Sequence, residues 1–350
     1  YGEVAVRSRR SAISAGLLVL CCSVPAVAAD AWVAEWDMPN GLAELRQGNF
    51  KNIFMFAAYF DRQDRPYLTE DMQKALRGGL AASLAQSPNK GPGVYLSVVN
   101  DLLVEAPGKS IQKDPGIVSR LMATEASRAA HRKDLLALLS VYPFTGLEID
   151  YERVNIDDWP RLLQFAQELS VTLAAQGKKL RVVLEPKQKY LQGSLPAGPQ
   201  YVVMAYNLHG HHNGPGAKAD DAFLRKLAQW CAHWPVKPGL ALSAGGYAWT
   251  ARGVVDLTER KAAARAQGAG VQPIRDPASP ALYFKAADNS PGSPLLAKGG
   301  TTGGSCEIWY ADGETLASWA ELGRSLGFGD VSLWRLGGNT PESLAKISGK

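Results

Sequence analysis

Eight short apolar segments recur along residues 32–336, with helical patterns in most of the intervals between them. Runs of this length predict buried β-strands. When such strands alternate with helices, they belong to a parallel sheet. This recurrence limits the fold more than any other feature of the chain. The predicted strands are Trp32–Trp36, Ile53–Tyr59, Gly93–Asn100, Gly146–Glu152, Leu180–Glu185, Tyr201–Tyr206, Gly239–Ala244 and Val331–Leu336.

Amphipathic patterns predict the helices between these strands. One of them has a clear start signal, because Asp157 and Asp158 precede Trp159-Pro160 and proline favours the first helical turn. Parallel strands joined by helices form either a doubly wound sheet or a closed barrel. Eight units and the lack of an early glycine-rich phosphate loop favour an α/β (β/α)8 TIM barrel. The predicted helices cover about 69–87, 117–141, 157–176, 220–233 and 313–327.

The stretch from about 250 to 310 breaks this alternation. It contains a helix-like run, Leu257–Gln267, and two strand-like runs, Ala281–Lys285 and Cys306–Tyr310, around a Gly/Ser/Pro-rich loop. We therefore predict a small insertion, a helix plus a hairpin, between strands 7 and 8 of the barrel. The composition, 46% hydrophobic and 20% charged, is that of an ordinary globular chain and excludes disordered and collagen-like classes.

Residues 1–29 have the features of a signal peptide. Three arginines precede the apolar run Ala12–Val24, and small residues at 26–29 fit a cleavage site. The run is too short to span a membrane. We expect export to the periplasm or the extracellular space, a mature domain at residues 30–350, and no stable membrane insertion after cleavage. Cleavage removes three arginines and one glutamate, a net charge of +2, and leaves +3 of the formal +5.

The segment Phe144–Glu152 places three acids on one face of a strand. Side chains alternate along a strand, so Glu148, Asp150 and Glu152 point the same way. A buried barrel strand should be apolar on both faces, and three acids this close cannot all ionise cheaply. At least one proton should remain, as a general acid requires. Glu152 lies at the carboxyl end of the strand, where barrel active sites form.

Residues 145–152 resemble the DGxDxDxE signature of glycoside hydrolase family 18, the chitinase family. Thr145 and Glu148 replace two of its aspartates, whereas Asp150 and Glu152 match. Further stretches are similar to the spore-cortex-lytic, LysM-associated branch of that family, although no LysM repeat is visible. They are Met204-Ala205-Tyr206-Asn207, Leu208-His209-Gly210, Gly214-Pro215-Gly216, Gly246–Thr250, Cys306–Tyr310 and Val331–Gly337.

The resemblance implies a retaining hydrolase that uses the acetamido group of its substrate as nucleophile. On that resemblance Glu152 is the general acid, and Asp150 stabilises the acetamido N–H and the developing positive charge. Glu148 holds or shares a proton with Asp150, and Tyr206 orients the acetamido carbonyl. Asn207 replaces an aspartate of the family, so it can donate a hydrogen bond but cannot carry its charge.

The resemblance also implies a binding groove for a polysaccharide that contains N-acetylglucosamine, either chitin or peptidoglycan. Trp334 would be the floor under the scissile sugar, because an indole face packs on the apolar face of a pyranose. We expect a monomer with neither cofactor nor metal. Nucleic acid is not an expected partner, because the mature charge is small and forms no basic stripe. The predicted substrate-binding residues are Asn207, Trp334, Met204, Tyr247, Trp249 and His209.

A histidine cluster supports a rival interpretation. His209, His211 and His212 lie near Asp220 and Asp221, and such groups bind transition metals, which would suit a metal-dependent deacetylase. The spacing matches no recognised ligand pattern, and the Gly, Asn and Pro residues around it favour a loop.

A second alternative is a lectin, since some chitinase-like barrels lack the acid and only bind glycans. The glutamate at position 152 favours an enzyme, whereas Thr145, Glu148 and Asn207 keep the lectin interpretation open. After cleavage two cysteines remain, Cys231 and Cys306, either as one disulfide or as two buried thiols.

Overall fold

The computed structural model describes residues 27–80, 92–103, 110–235, 237–287 and 304–349. Most of the predicted signal peptide therefore lies outside the described residues. Eight parallel strands close into a barrel, because β1 pairs with both β2 and β14, which confirms the predicted fold. Strands are numbered along the chain. Those of the barrel are β1 Asp30–Ala34, β2 Asn52–Phe60, β4 Gly93–Leu102, β5 Gly146–Asp150, β6 Lys179–Leu184, β7 Gln200–Met204, β8 Gly239–Ser243 and β14 Val331–Trp334.

Alternation along each strand divides the core into two parts. On β2, Ile53 and Met55 belong to the large cluster between the barrel and its helices. Their neighbours Phe54 and Phe56 belong to an aromatic cluster inside the barrel, together with Trp32. Both faces of the strand are therefore buried, which is why barrel strands read as continuous apolar runs. A short strand, β3 (Pro66–Leu68), extends the end of β2 in antiparallel fashion.

Ten helices within the described residues flank the strands, and one prediction about them is wrong. The pattern at 117–141 forms two helices rather than one. The break falls at Thr124, whose side chain accepts a hydrogen bond from the backbone N–H of Ser127 and so caps a new helix. The helices are α1 Met38–Leu45, α2 Glu70–Arg77, α3 Pro115–Met122, α4 Glu125–Ser140, α5 Trp159–Ala174, α6 Gln188–Leu191, α7 Asp221–Trp230, α8 Glu259–Gly268, α9 Gly313–Ser325 and α10 Pro341–Ser348.

The insertion between β8 and β14 is larger than predicted. It forms a five-stranded antiparallel sheet, in the order β10-β9-β13-β12-β11, that packs on α8. Because it begins at Gly245, directly after β8, the segment Gly246–Thr250 belongs to this sheet and not to the seventh barrel strand. Its strands are β9 Gly245–Thr250, β10 Gly253–Leu257, β11 Ile274–Arg275, β12 Leu282–Ala287 and β13 Ser305–Ala311.

Gly246 is required by the way this sheet packs. A Cβ atom at this position would lie 1.8 Å from the backbone oxygen of Trp309 on β13.

The two remaining cysteines do not form a disulfide. Cys231 is buried in the core around the barrel and Cys306 in the inserted sheet. Across the described parts of the chain, no helix is long and apolar enough to cross a membrane.

Candidate active site

The predicted acids lie where β5 ends inside the barrel. Asp150 is the last residue of β5, and Glu152 follows two residues later. Asn100 of β4 fixes the backbone of Glu152 from both sides. Its Nδ2 donates to the carbonyl oxygen of Glu152, and its Oδ1 accepts from the N–H of Glu152, both at 2.9 Å. This clamp holds the predicted general acid at the carboxyl end of the barrel.

Asp150 keeps its proton near neutral pH. Its side chain is almost fully buried, and its Oδ1 has no hydrogen-bond partner in the described structure. Burial raises the pKa of Asp150 to about 8, the Lys113 ammonium opposes this rise, and the neighbouring carboxylates of Glu152 and Glu148 add to it. Asp150 is therefore the group that holds the proton predicted to remain on the three closely spaced acids.

Lys113 was not among the residues predicted from the sequence. Its Nζ lies 2.9 Å from Glu152 Oε1 and 3.8 Å from Asp150 Oδ2 and Asp101 Oδ1. Burial alone would lower the pKa of Lys113, but the neighbouring acids Asp150, Glu152 and Asp101 raise it above its ordinary value. A bridge between Leu102 and Ile111 brings the loop that carries Lys113 back over the acids. No sequence pattern near Lys113 signals this return.

Glu148 lies deeper in the barrel, bonded to other partners than the resemblance implies. Its carboxylate is fully buried and accepts from Arg181 Nε at 2.5 Å, Ser97 Oγ at 2.5 Å and Trp32 Nε1 at 2.6 Å. The Arg181 guanidinium also donates to Asp30 Oδ2 on β1. No hydrogen bond between Glu148 and Asp150 is among these described contacts, and the sharing of a proton between them stays a prediction. Glu148 therefore completes a buried ion pair.

Three of the predicted residues lie at the end of β7. Tyr206 is half-buried against the aromatic cluster inside the barrel, to which the buried Met204 also belongs. Burial, and then the charges of Asp150 and Glu152, raise the pKa of Tyr206 well above its ordinary value. Its hydroxyl therefore stays protonated and can donate a hydrogen bond. Asn207 is half-buried beside Tyr206.

Trp334 ends β14 and lies between the barrel interior and an open cleft. Its ring makes T-shaped contacts with Phe56 at 5.2 Å and Trp32 at 5.9 Å, while a further indole, Trp36, is 6.4 Å away and 60% exposed. The cleft beside Trp334 has a volume of about 530 Å³ and is bounded by barrel residues and by the start of the inserted sheet. Trp334 thus borders a cleft, and its role as the floor for a sugar ring stays a prediction.

The remaining predicted binding residues join the loop 207–218 to the inserted sheet. Tyr247 and Trp249 neighbour each other on β9, with ring centres 5.6 Å apart. Trp249 Nε1 donates to the carbonyl of Asn213, and His209 Nδ1 lies 2.9 Å from the carbonyl oxygen of Gly214. The Trp249 contact joins the inserted sheet to the loop, whereas the His209 contact lies within the loop.

The histidine cluster does not assemble a metal centre. His211 Nε2 pairs with Asp256 Oδ2 at 2.8 Å on the exposed side of the inserted sheet, whereas His209 contacts a backbone carbonyl. Across the residues with described positions, no group of three or more His, Cys, Asp or Glu side chains is arranged to hold a metal ion.

We expect Asp150→Asn to stabilise the protein at alkaline pH. Asp150 stays protonated in the folded state up to about pH 8, whereas an unfolded carboxyl ionises near pH 4. Because the folded pKa is raised, this stabilisation is complete below about pH 4 and is lost as the pH rises toward 8. The amide of Asp150→Asn does not ionise, so the variant does not lose stability in this way. The Tm of the variant should exceed that of the native protein at pH 8 and match it near pH 4.

Thermal unfolding followed by circular dichroism between pH 4 and 8 measures this difference. Asp157→Asn, an exposed aspartate, serves as control and should show the same pH dependence as the native protein. A difference in Tm between Asp150→Asn and the native protein that does not change with pH would contradict the protonation state assigned to Asp150.

No protein-family model matches the chain. An uncharacterized glycosylase, YvbX, of Bacillus subtilis (strain 168) is 22% identical over 252 residues, which is 67% of this chain and 69% of the relative. Among solved structures, the spore cortex-lytic enzyme SleL of Bacillus cereus superposes with a TM-score of 0.73 at 16% identity, over 91% of this chain and 73% of SleL.

Two chitinases have similar scores. The chitinase of Chromobacterium violaceum ATCC 12472 gives a TM-score of 0.72 at 18% identity, over 92% of this chain and 98% of its own. A class V chitinase of Nicotiana tobaccum in complex with NAG4 gives 0.69 at 14% identity, over 92% and 97%. The predicted resemblance is confirmed at the level of the fold: the chain has the barrel of the chitinases and of the spore cortex-lytic enzymes.

Proposed function

We propose that this protein is a retaining glycoside hydrolase that cleaves β-1,4 bonds next to N-acetylated amino sugars. The observation that carries the proposal is the pair of acids at the end of β5: a buried Asp150 that keeps its proton, and Glu152 clamped at the mouth of the barrel. The similarity in fold and sequence to glycosidases, one of them in complex with NAG4, supports the same class of reaction.

The proposed first step breaks the bond between C1 and the glycosidic oxygen. The proton that Asp150 holds in the free protein passes to Glu152, which donates it to that oxygen while the acetamido oxygen attacks C1 and forms an oxazolinium ion. Asp150 accepts a hydrogen bond from the acetamido N–H, and the Tyr206 hydroxyl donates one to the acetamido carbonyl. In the second step Glu152 takes a proton from water, and the water oxygen adds to C1 on the face that the leaving group vacated. The bond between C1 and the acetamido oxygen breaks as the water adds, which restores the acetamido group.

Lys113 sets the orientation of the acid in the free protein. Its Nζ donates to Glu152 Oε1 at 2.9 Å, so the second carboxylate oxygen is the one left to meet the glycosidic oxygen. Lys113 also lowers the pKa of Asp150 against the larger effect of burial. In this proposal it positions the acid pair and limits how strongly the pair holds its proton.

Lys113 should influence the pH dependence of kcat/KM. Lys113→Met removes the charge that opposes protonation of Asp150, so the acid pair should hold its proton to higher pH. We expect the alkaline limb of kcat/KM to move up by about one pH unit. The measurement is the rate between pH 4 and 10, with Lys133→Met, an exposed lysine of α4, as control. If the alkaline limb of the Lys113→Met profile stays in place or moves to lower pH, the role given to Lys113 is refuted.

The proposed substrates are peptidoglycan-type glycan and chitin. The proposal includes export, which the features of residues 1–29 support. Digestion of purified peptidoglycan and of chitin oligosaccharides, read by mass spectrometry with and without EDTA, tests the function. We expect cleavage products that EDTA does not affect, initially in the β configuration by NMR. Fully deacetylated oligosaccharides of equal length should not be cleaved, because they lack the attacking acetamido oxygen.

Other outcomes would overturn the proposal in identifiable ways. Glycan binding without any products would indicate a lectin. Release of acetate that EDTA abolishes would indicate a metal-dependent deacetylase. Inverted products would exclude the acetamido mechanism while leaving a hydrolase.

A further inference from the structure

A lysine with no carboxylate partner lines the cleft beside Trp334. Lys218 Nζ donates to Ser243 Oγ at 2.7 Å and to the carbonyl oxygen of Ala244 at 3.1 Å. An ammonium has three donors, so one remains. In the described portion of the chain, no carboxylate oxygen lies within 4.0 Å of this nitrogen, since Lys218 takes part in none of the ion pairs. No motif in the sequence marks this residue.

The cleft has three other cations, of which Lys261 is exposed to solvent and the two arginines are already engaged. Arg335 pairs with Asp37 at 2.6 Å, and Arg260 reaches Glu44 at 3.4 Å. Asp256, the acid whose field acts on Lys218, has its carboxylate 2.8 Å from His211. Lys218 is therefore a cation for which this cleft provides no close counter-ion.

The surroundings of Lys218 make its charge costly. Burial lowers the pKa of Lys218 to about 8, against the opposing effect of Asp256. The amine is still mostly protonated at neutral pH, and it lies 5.0 Å from the centre of the Tyr247 ring. A partly desolvated cation of this kind gains more from an arriving anion than an exposed lysine would.

The position of Lys218 links it to the proposed sugar site. The N–H of Ala244 donates to the backbone carbonyl of Trp334, and the carbonyl of Ala244 accepts from Lys218. Ala244 therefore connects Lys218 to the backbone of Trp334. Lys218 and Trp334 both line the same cleft. The free N–H of Lys218 thus lies beside the space where Trp334 would hold a sugar.

We propose that Lys218 binds a carboxylate carried by the glycan, and that the cleft selects an acidic amino sugar over a neutral one. The inference rests on the proposed function and narrows its substrate class. A lactyl ether carboxylate on an N-acetylated sugar, as in peptide-free peptidoglycan strands, has this chemistry, whereas chitin offers only hydroxyl and acetamido groups. A carboxylate would accept the remaining N–H and supply the missing negative charge.

The test compares two tetrasaccharides of equal length, one of alternating N-acetylglucosamine and N-acetylmuramic acid and the other of N-acetylglucosamine alone. We expect the native protein to prefer the acidic one in kcat/KM, and Lys218→Met to reduce that preference by about ten- to a hundredfold. Lys226→Met is the matched control. Lys226 also lies over an indole, Trp230, at 5.2 Å, but on the exposed face of α7.

Binding measured by tryptophan fluorescence gives a second, independent readout. If the native protein cleaves either tetrasaccharide and Lys218→Met leaves the ratio between them unchanged, the inference is wrong and the proposed function stands. If the protein cleaves neither, the proposed function is wrong. The inference then holds only if the acidic tetrasaccharide is bound more tightly and this preference is lost in Lys218→Met. Loss of both preferences in Lys226→Met as well would also refute it.

Discussion

Glu152→Gln should lower the rate of glycan hydrolysis by about 10³-fold, because a glutamine has no proton to give to the leaving oxygen. The amide has the same shape as the carboxyl, and the backbone clamp from Asn100 does not depend on the side chain. The variant should therefore fold normally. Because the proposed contact with the sugar is made by Trp334 and not by the acid, glycan binding should persist while turnover falls.

Three measurements check this expectation: initial rates on an oligosaccharide substrate, thermal unfolding, and binding by tryptophan fluorescence. Glu321→Gln, an exposed glutamate of α9, is the control and should retain native activity. Full activity in Glu152→Gln would eliminate the proposed mechanism. A variant that fails to fold would leave the decision to Glu152→Asp, which keeps the proton but withdraws it by one methylene and should lose most of the rate.

Arg181→Met should destabilise the fold by about 3–5 kcal/mol, because it leaves the carboxylate of Glu148 buried without its cation. Glu148 is fully buried and cannot reach water to recover that solvation. The same change removes the hydrogen bonds from Arg181 to Asp30 and Ser332 and its stacking over Phe54. This is the largest effect on stability that we expect from one substitution.

The double variant Arg181→Met/Glu148→Met separates the lost charge pair from lost packing. Removing both charges should restore most of the stability, since apolar residues of similar volume often replace a buried ion pair without loss. Urea unfolding of the two single variants and the double variant completes the cycle. Arg132→Met breaks the surface pair with Glu168 and should cost about 0–1 kcal/mol. Additive losses at Arg181 and Glu148 would show that the two do not act as a pair.

The sequence predicts the barrel well because its strands are buried on both faces. Continuous apolar runs mark such strands, and all eight were found, with ends shifted by a few residues. The extra helix boundary at Thr124 was missed, although Thr and Ser three residues apart are a capping signal. The inserted sheet was underestimated because β10 and β11 are largely exposed and lack an apolar run.

The site was predictable only where the chemistry lies along one strand. Alternation along residues 148–152 predicts that Glu148, Asp150 and Glu152 share one face, and Lys113 Nζ lies 3.8 Å from Asp150 and 2.9 Å from Glu152. The partners of these acids come from distant loops and strands. Lys113 reaches them through a loop that returns over β4, and Arg181 reaches Glu148 from the neighbouring strand. No local pattern encodes either contact.

The network of buried hydrogen bonds around Arg181 also constrains the order in which the chain can fold. It joins Arg181 to Asp30 and to Ser332, each 151 residues away along the chain, and joins Trp32 to Glu148 across 116 residues. Contacts of such high sequence separation form late and slow folding. Half of the barrel alone would leave Arg181 without some of these partners. We therefore expect the barrel to close as one cooperative unit, after its last strand has been synthesised.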